Sequence, residues 1–212
     1  MVITRAPFRI SFFGGSSDYE EFYSEHGSFL IGTTIDKYSY TSSRFRPNIL
    51  KLENIVSYSE VQRFKEVDEV KNPLIRESLR KFNFLKKLDV HLFADIPSRT
   101  GLGGSSSCCC SVLLGLSHLN NSPLNEKELA QTAIEIERVI LKESGGIQDQ
   151  IWASYGGFNS IEIKTNGDFS VKPMPVSNEF KKEFQDSLCL VYANQQRDTE
   201  EIAAAHSNKN KK

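Results

Sequence analysis

The residues in this chain best suited to chemistry form one stretch, Gly101-Leu102-Gly103-Gly104-Ser105-Ser106-Ser107, where a glycine-rich turn opens through three hydroxyls into an apolar run. Glycines let a backbone curl so that several N–H groups point at one oxygen, and a helix beginning there adds partial positive charge. Serine hydroxyls add donors for phosphate and an oxygen for Mg2+. The same residue types are also the default choices for a tight loop and an N-cap. Taken alone, the stretch supports an anion cradle and a well-capped turn equally.

The flanking elements must position it. Leu88 to Ala94 alternates like a half-buried strand, and Cys108 to Leu119 places Val112, Leu113 and Leu116 at helical spacing. Upstream, Val2 to Phe13 reads as a strand interrupted by Pro7. The turn Gly14-Gly15-Ser16-Ser17 leads to a helix from Asp18 to Glu25, ended by Gly27. Two β-rich runs follow, 28–36 and 37–45, then short strands over 48–70. Asn72-Pro73 starts a helix with proline at its first position. Downstream, Asn125 to Glu128 cap a long amphipathic helix to about Lys142, with Leu129, Ala133, Ile136 and Ile140 on one face. A second glycine turn, Ser144-Gly145-Gly146-Ile147-Gln148-Asp149-Gln150, precedes a short helix from Ile151 to Tyr155. Phe158 to Lys164 and Phe169 to Lys172 flank Asn166-Gly167, a two-residue hairpin signal. The remainder predicts an amphipathic piece (Ser177 to Phe184), a strand (Leu188 to Ala193), a short helix (Asp198 to Ala205) and a basic tail. Strands and helices mixed without strict βαβ alternation give an α+β class.

Composition narrows the function. The 212 residues are 39% hydrophobic and 25% charged, and can bury a sizeable core. A formal net charge of −1 gives no electrostatic case for nucleic acid or an anionic membrane. No apolar run approaches the roughly 20 residues that span a bilayer. The N-terminus resembles a strand rather than a signal peptide, so the cytoplasm is the expected compartment. Cys108, Cys109 and Cys110 are adjacent and Cys189 is remote, which suits buried packing better than a zinc site or disulfide framework.

The glycine stretch lacks the Gly-Lys-Ser/Thr ending of a Walker A loop. It also lacks the third glycine of the dinucleotide fingerprint, whose place is held by Ser106. Instead, Pro97-x-x-x-Gly101-Leu102-Gly103-Gly104-Ser105-Ser106 resembles the second signature of the GHMP kinases (galactokinase, homoserine, mevalonate and phosphomevalonate kinases). Two further marks agree. Ala6-Pro7-Phe8-Arg9 through Gly14-Gly15-Ser16-Ser17-Asp18-Tyr19 is similar to the first signature, and Gly145-Gly146-Ile147-Gln148-Asp149-Gln150 to the segment around the galactokinase catalytic aspartate. Glu137 falls twelve residues before that aspartate, where the family places a metal-binding glutamate.

The resemblance implies a ribosomal-protein-S5-like N-terminal domain over residues 1–175, with residues 176–212 as the opening of the second domain plus a tail. It implies ATP and Mg2+ as cofactors and a sugar or sugar phosphate as the other partner. Gly101, Leu102, Gly103, Gly104, Ser105 and Ser106 would cradle the phosphates, and Ser105 with Glu137 would hold the metal. Asp149 would accept the sugar proton, Arg9 would lie beside it, and Asp18, Gly15 and Ser16 would meet the sugar. Each acidic residue also has an ordinary reading: Asp149 and Asp18 as helix caps, Glu137 as part of a solvated face, with Arg9 an ordinary salt-bridge residue. Gly14-Gly15, Ser-Asp-Tyr and Thr34-Ile35-Asp36-Lys37-Tyr38 look most like the bacterial branch, related to the kinase domain of fucokinase, that phosphorylates D-glycero-D-manno-heptose 7-phosphate at its anomeric hydroxyl for nucleotide-heptose and surface-polysaccharide precursors. The chain departs from the pattern at Phe8, Arg99 and Gly104, and no glycine after Gly167 supplies the family's third signature. That departure leaves a second expectation: a shortened homologue that binds nucleotide or a partner, with the remaining half encoded separately.

Overall fold

The computed structural model describes residues 1–47, 53–84, 87–97 and 100–191. One mixed sheet contains seven strands: β1 (Val2–Phe13), β2 (Ser28–Phe45), β3 (Asn54–Ser57), β4 (Val61–Phe64), β5 (Leu88–Ala94), β6 (Phe158–Ile163) and β7 (Phe169–Pro173). Their order is β4-β3-β5-β2-β6-β7, with β1 on the other edge of β2. Among the described residues only β3 and β5 run parallel. The helices are α1 (Glu20–His26), α2 (Pro73–Phe82), α3 (Gly104–Leu119), α4 (Glu126–Ile134), α5 (Gln148–Tyr155) and α6 (Asn178–Asp186).

The two expected β runs at 28–45 are one strand. Its register against β1 passes from Pro7↔Tyr38 to Arg9↔Thr34, so residues 35–37 are taken up as a bulge rather than a turn. On the edge opposite β1, β6 pairs with Ser28 to Thr33 and β5 with Ser39 to Phe45. Residues 34–38 of β2 lie in the gap between them. The end of β5 and the start of β6 therefore meet at one place, directly across β2 from Arg9, and the glycine loop and α5 both connect there.

Helix α3 lies flat on β1 and β2 because the face it turns to them is small and hydroxylated. Ser107 Oγ donates to the Ala6 carbonyl at 2.7 Å, Thr4 Oγ1 donates to the Ser111 carbonyl at 2.7 Å, and the Thr41 and Ser111 hydroxyls are 2.8 Å apart. Cys109 and Cys110 are fully buried, in the cluster that α3 forms with α4 and α5, and burial pushes the Cys110 thiol up to about 12, in keeping with packing. Cys189 is exposed instead. Trp152 anchors α5 by filling the space left by Gly32, where an added Cβ would lie 2.6 Å from the Trp152 ring.

Local signals placed several elements well. Asn72 caps α2 with Pro73 at its first position, and Asn125 and Glu128 form a reciprocal capping box on α4. Other elements differ from expectation. The hairpin loop has three residues: Lys164 N–H donates to Asp168 O while Gly167, at φ 81°, takes the left-handed position. Tyr19, not Asp18, precedes α1. Helix α5 starts three residues early, at Gln148.

The long helix past Asn125 does not run evenly to Lys142. From Glu135 to Ile140 it widens into a π-helical turn, marked by the Leu141 N–H to Ile136 O bond. The extra residue rotates the register after it, so Ile140 is 46% exposed although its spacing assigns it to the apolar face, while Glu137 continues the buried face of Ala130 and Ala133. Residues 188–191 form no strand. The rest of the expected strand to Ala193, the helix from Asp198, the basic tail and Arg99 lie outside the described residues.

Candidate active site

The glycine loop is tied to β1 before α3 begins. Arg9 N–H donates to Leu102 O at 3.0 Å, and Arg9 Nη1 donates to Gly101 O at 2.8 Å. Gly103 precedes α3 in the left-handed conformation (φ 74°, ψ 27°), which glycine adopts without penalty, and no side chain caps the helix. The first amides of α3, from Gly104 onward, have no intrahelical acceptor and point out of the helix. That is an anion-binding arrangement.

Asp149 faces this loop. Its carboxylate takes a two-pronged bond from Arg9, Nε to Oδ1 at 2.7 Å and Nη2 to Oδ2 at 2.8 Å. Planar guanidinium and carboxylate fix each other's orientation in this geometry. An added Cβ at Gly103 would lie 3.1 Å from Arg9 Cγ and 3.5 Å from Asp149 Oδ2, so the loop passes against the ion pair. The helix-cap reading of Asp149 does not hold, because Ile147 occupies that position and Asp149 lies in the first turn.

Glu137 is not on a solvated face. It is fully buried, and its carboxylate accepts from Ser105 Oγ at 2.8 Å, from Ser106 Oγ at 2.7 Å and from Gln150 Nε2. One carboxylate beside an exposed serine hydroxyl is a hard-oxygen donor set. Among the described residues no group of three or more His, Cys, Asp or Glu could hold a metal alone. A hydroxyl and a carboxylate are donor types that suit a hard cation such as Mg2+, which keeps water and substrate oxygens in the rest of its shell.

Asp18 is only 1% exposed. Its Oδ2 accepts the Gln148 backbone N–H at 3.1 Å and its Oδ1 accepts Gln148 Nε2 at 3.0 Å, while its carbonyl accepts the Ile147 N–H at 3.2 Å. Burial pushes its carboxyl up to about 6; the Gln148 N–H opposes this, the Asp149 charge adds to it, and Arg9 opposes it. Gly15 and Ser16 lie in the preceding turn, outside the residues that line the cleft. Arg138, next to Glu137 on the π turn, donates from Nε to Gly146 O at 2.9 Å and from Nη1 to Glu143 O and Ser144 O at 3.1 Å each.

These groups line one cleft of about 870 Å3. Its wall continues to Tyr40 and Phe93, whose rings stack at 5.0 Å, and to Leu74 and Leu92. The structure thus brings together Arg9, Asp18, the 101–106 loop and Asp149, with Glu137 directly beneath the two serines. Sequence reasoning assigned no role to Gln148, Gln150 or Arg138. Only the Gln-x-Gln flanking of Asp149 hinted at the first two, and nothing local marks an arginine that binds carbonyls beyond a π turn.

Known proteins agree with this construction. Residues 70–157 match the family described as GHMP kinases N terminal domain. The D-glycero-alpha-D-manno-heptose 7-phosphate kinase of Campylobacter jejuni is 29% identical over 208 residues, an alignment covering 94% of this chain and 61% of that protein. A D-glycero-D-manno-heptose 1-phosphate kinase structure from Bacteroides thetaiotaomicron matches with a TM-score of 0.79 at 26% identity, covering 86% of this chain and 63% of that one. The Methanococcus jannaschii mevalonate kinase, at 21% identity and a TM-score of 0.62, shares the fold. The chain thus spans somewhat over 60% of the length of its sugar-kinase relatives. Among the described residues no helix is long and apolar enough to cross a membrane. The sequence signatures, the sheet with its helix layer and the matched segment agree: residues 70–157 match the GHMP kinase N-terminal domain, and the fold is similar to that of GHMP kinase structures.

Proposed function

We propose that the chain binds Mg-ATP and supports transfer of the γ-phosphoryl group to the anomeric hydroxyl of a sugar phosphate, D-glycero-D-manno-heptose 7-phosphate. The observation that carries this reading is the Arg9–Asp149 pair set against the uncapped start of α3 within one cleft. The similarity to the Campylobacter jejuni heptose 7-phosphate kinase supports the choice of acceptor. Residues 1–175 form the nucleotide-binding domain in this reading.

Phosphoryl transfer needs positioning and charge stabilisation more than covalent chemistry. The amides of Gly104, Ser105 and Ser106 would receive phosphate oxygens, as helix starts do. Ser105 and Glu137 would hold Mg2+, which when bound neutralises charge on the β and γ phosphates. Asp149 would accept the proton of the acceptor hydroxyl as its oxygen bonds to the γ phosphorus and the bond to the β-bridging oxygen breaks, releasing ADP. Arg9 holds that carboxylate in place and adds positive charge beside the transferred group.

The test pairs calorimetry with Mg-ATP and phosphosugar detection by phosphorus NMR, using heptose 7-phosphate, fucose and galactose as acceptors. Saturable ATP binding with phosphate appearing on the heptose is expected. Binding without transfer to any acceptor would leave the chain a nucleotide-binding module, and absence of both would sink the reading.

A further inference from the structure

Phe8 and Gly104 are two of the positions at which the chain departs from the kinase signatures, and the structure sets them in contact. A Cβ added at Gly104 would lie 3.1 Å from Phe8 Cε1 and 3.8 Å from Cζ. Gly104 lies outside the positive-φ region, unlike Gly101 and Gly103. Its backbone would therefore accept other residues, and most of them are better helix formers. Space decides the choice instead. Phe8 is only 1% exposed and lies under the first residue of α3, at the wall of the cleft.

The contact is the last of a series along β1. Alternate strand residues Thr4, Ala6 and Phe8 face α3, and one side of the helix meets them in turn. Thr4 Oγ1 donates to Ser111 O at 2.7 Å and would lie 3.0 Å from a Cβ at Gly115, while Ser107 Oγ donates to Ala6 O at 2.7 Å. Two strand residues advance about 6.7 Å and four helical residues about 6 Å, so these contacts stay in step. Thr4 and Ala6 are small. Phe8 is the large side chain of the series, and it stands at the helix start.

We infer that Phe8 is a positioning residue for the phosphate cradle: its ring sets where the amides of Gly104, Ser105 and Ser106 stand above β1, and Gly104 lacks a side chain because the ring takes its room. The two departures are then one coupled exchange. Arg9, the next residue of β1, holds Leu102 O, Gly101 O and Asp149. Two adjacent strand residues thus fix the loop, the first amides of α3 and the proposed base relative to one another. The consequence for nucleotide rests on the Mg-ATP reading above; the packing consequence does not.

The experiment compares Phe8→Leu, Gly104→Ala and the Phe8→Leu/Gly104→Ala double variant of the full chain. It reads Mg-ATP affinity by calorimetry, the urea midpoint, and amide hydrogen exchange from Ser107 onward, where α3 makes its first internal bond. Phe64→Leu serves as the control, since Phe64 is equally buried but lies in the cluster around β3, β4 and β5, away from the residues that line the cleft. Leucine lacks the ring atoms nearest Gly104, so Phe8→Leu should loosen the helix start and raise exchange there. Spoiling one charged hydrogen bond to phosphate is worth about tenfold in affinity, and a loss of that size is expected. Gly104→Ala presses a methyl onto the intact ring and should weaken Mg-ATP binding by about threefold or more. The double variant puts that methyl into the room the ring edge leaves. It should bind Mg-ATP within about threefold of wild type and recover the exchange protection, a non-additive result. Phe64→Leu should lower the urea midpoint with ATP affinity unchanged. Losses that add in the double variant, or a Phe64→Leu affinity loss equal to that of Phe8→Leu, would overturn the assignment. If the wild-type chain binds no Mg-ATP, the proposed function fails, and exchange with the urea midpoint in the double variant alone decides whether Phe8 sets the start of α3.

Discussion

The two helix starts that face the cleft are built in opposite ways. Helix α3 begins at a glycine in the left-handed conformation, and no side chain caps its first amides. Helix α5 also lacks a local cap, yet its Gln148 amide is consumed by Asp18 from a distant turn. Open amides are donors held ready for an incoming anion, while filled amides fix a backbone. The buried carboxylates follow the same division. Glu137 collects three neutral donors under the α3 start, whereas Asp18 accepts from Gln148 on both oxygens and has the Asp149 charge nearby. The α3 side of the site presents open donors, and the α5 side a backbone held in place.

The largest effect should come from Asp149→Asn. In the proposed reading Asp149 is the general base, whose loss lowers phosphotransfer by about 10²–10⁴-fold, while ATP affinity measured by calorimetry should change little. An equal loss of ATP binding would show that the two halves are not separate. Next, Glu137→Ala strands the buried Ser106 and Gln150 donors. Each buried donor left unsatisfied costs about 1–3 kcal/mol, so urea unfolding should show a loss of about 2 kcal/mol or more, with Mg-ATP binding weakened.

Asp18 gives a pH signature. Its folded pKa of about 6 lies above the unfolded value of 3.8, so the folded chain keeps this proton longer than the unfolded chain. Its contribution to stability is full below about pH 4 and is lost as pH rises through 6, on the order of 2–3 kcal/mol. Unfolding free energies of wild type and Asp18→Asn between pH 4 and pH 7 should differ by that slope, and parallel curves would contradict it. The smallest effects separate two adjacent serines. Ser106→Ala should cost about 1 kcal/mol of stability, because Ser106 is buried and serves Glu137. Ser105→Ala, at an exposed hydroxyl, should weaken Mg-ATP binding more than it weakens the fold.

Elements governed by neighbours in the chain were legible in the sequence. Asn72-Pro73, the Asn125–Glu128 capping box and the apolar face of α3 each act within a few residues. Elements governed by remote partners were not. Read from the sequence, the strand divides at 36–37, but β1 pairs with residues on both sides and residues 35–37 are taken up as a bulge. Helix α5 starts at Gln148 because Asp18 accepts its amide, and no local pattern around Gln148 encodes that. Read without the family resemblance, Glu137 looked like one more charge on an amphipathic helix, whereas the structure buries it under Ser105 and Ser106.

By itself the sequence determined the chemical inventory and its order: the glycine-serine loop, Arg9, Asp18, Glu137, Asp149, and signatures sufficient to point to one family. Tertiary structure decided which of these meet and in what state. The gap opposite Arg9 exists because β5 and β6 share one edge of β2, and that sharing carries the loop after β5 and the helix before β6 to the same point. Spacing along a chain fixes local geometry over a turn or two of backbone. The meeting of Arg9 with Asp149, and of Asp18 with Gln148, depends on sheet register and on burial that only the assembled core imposes.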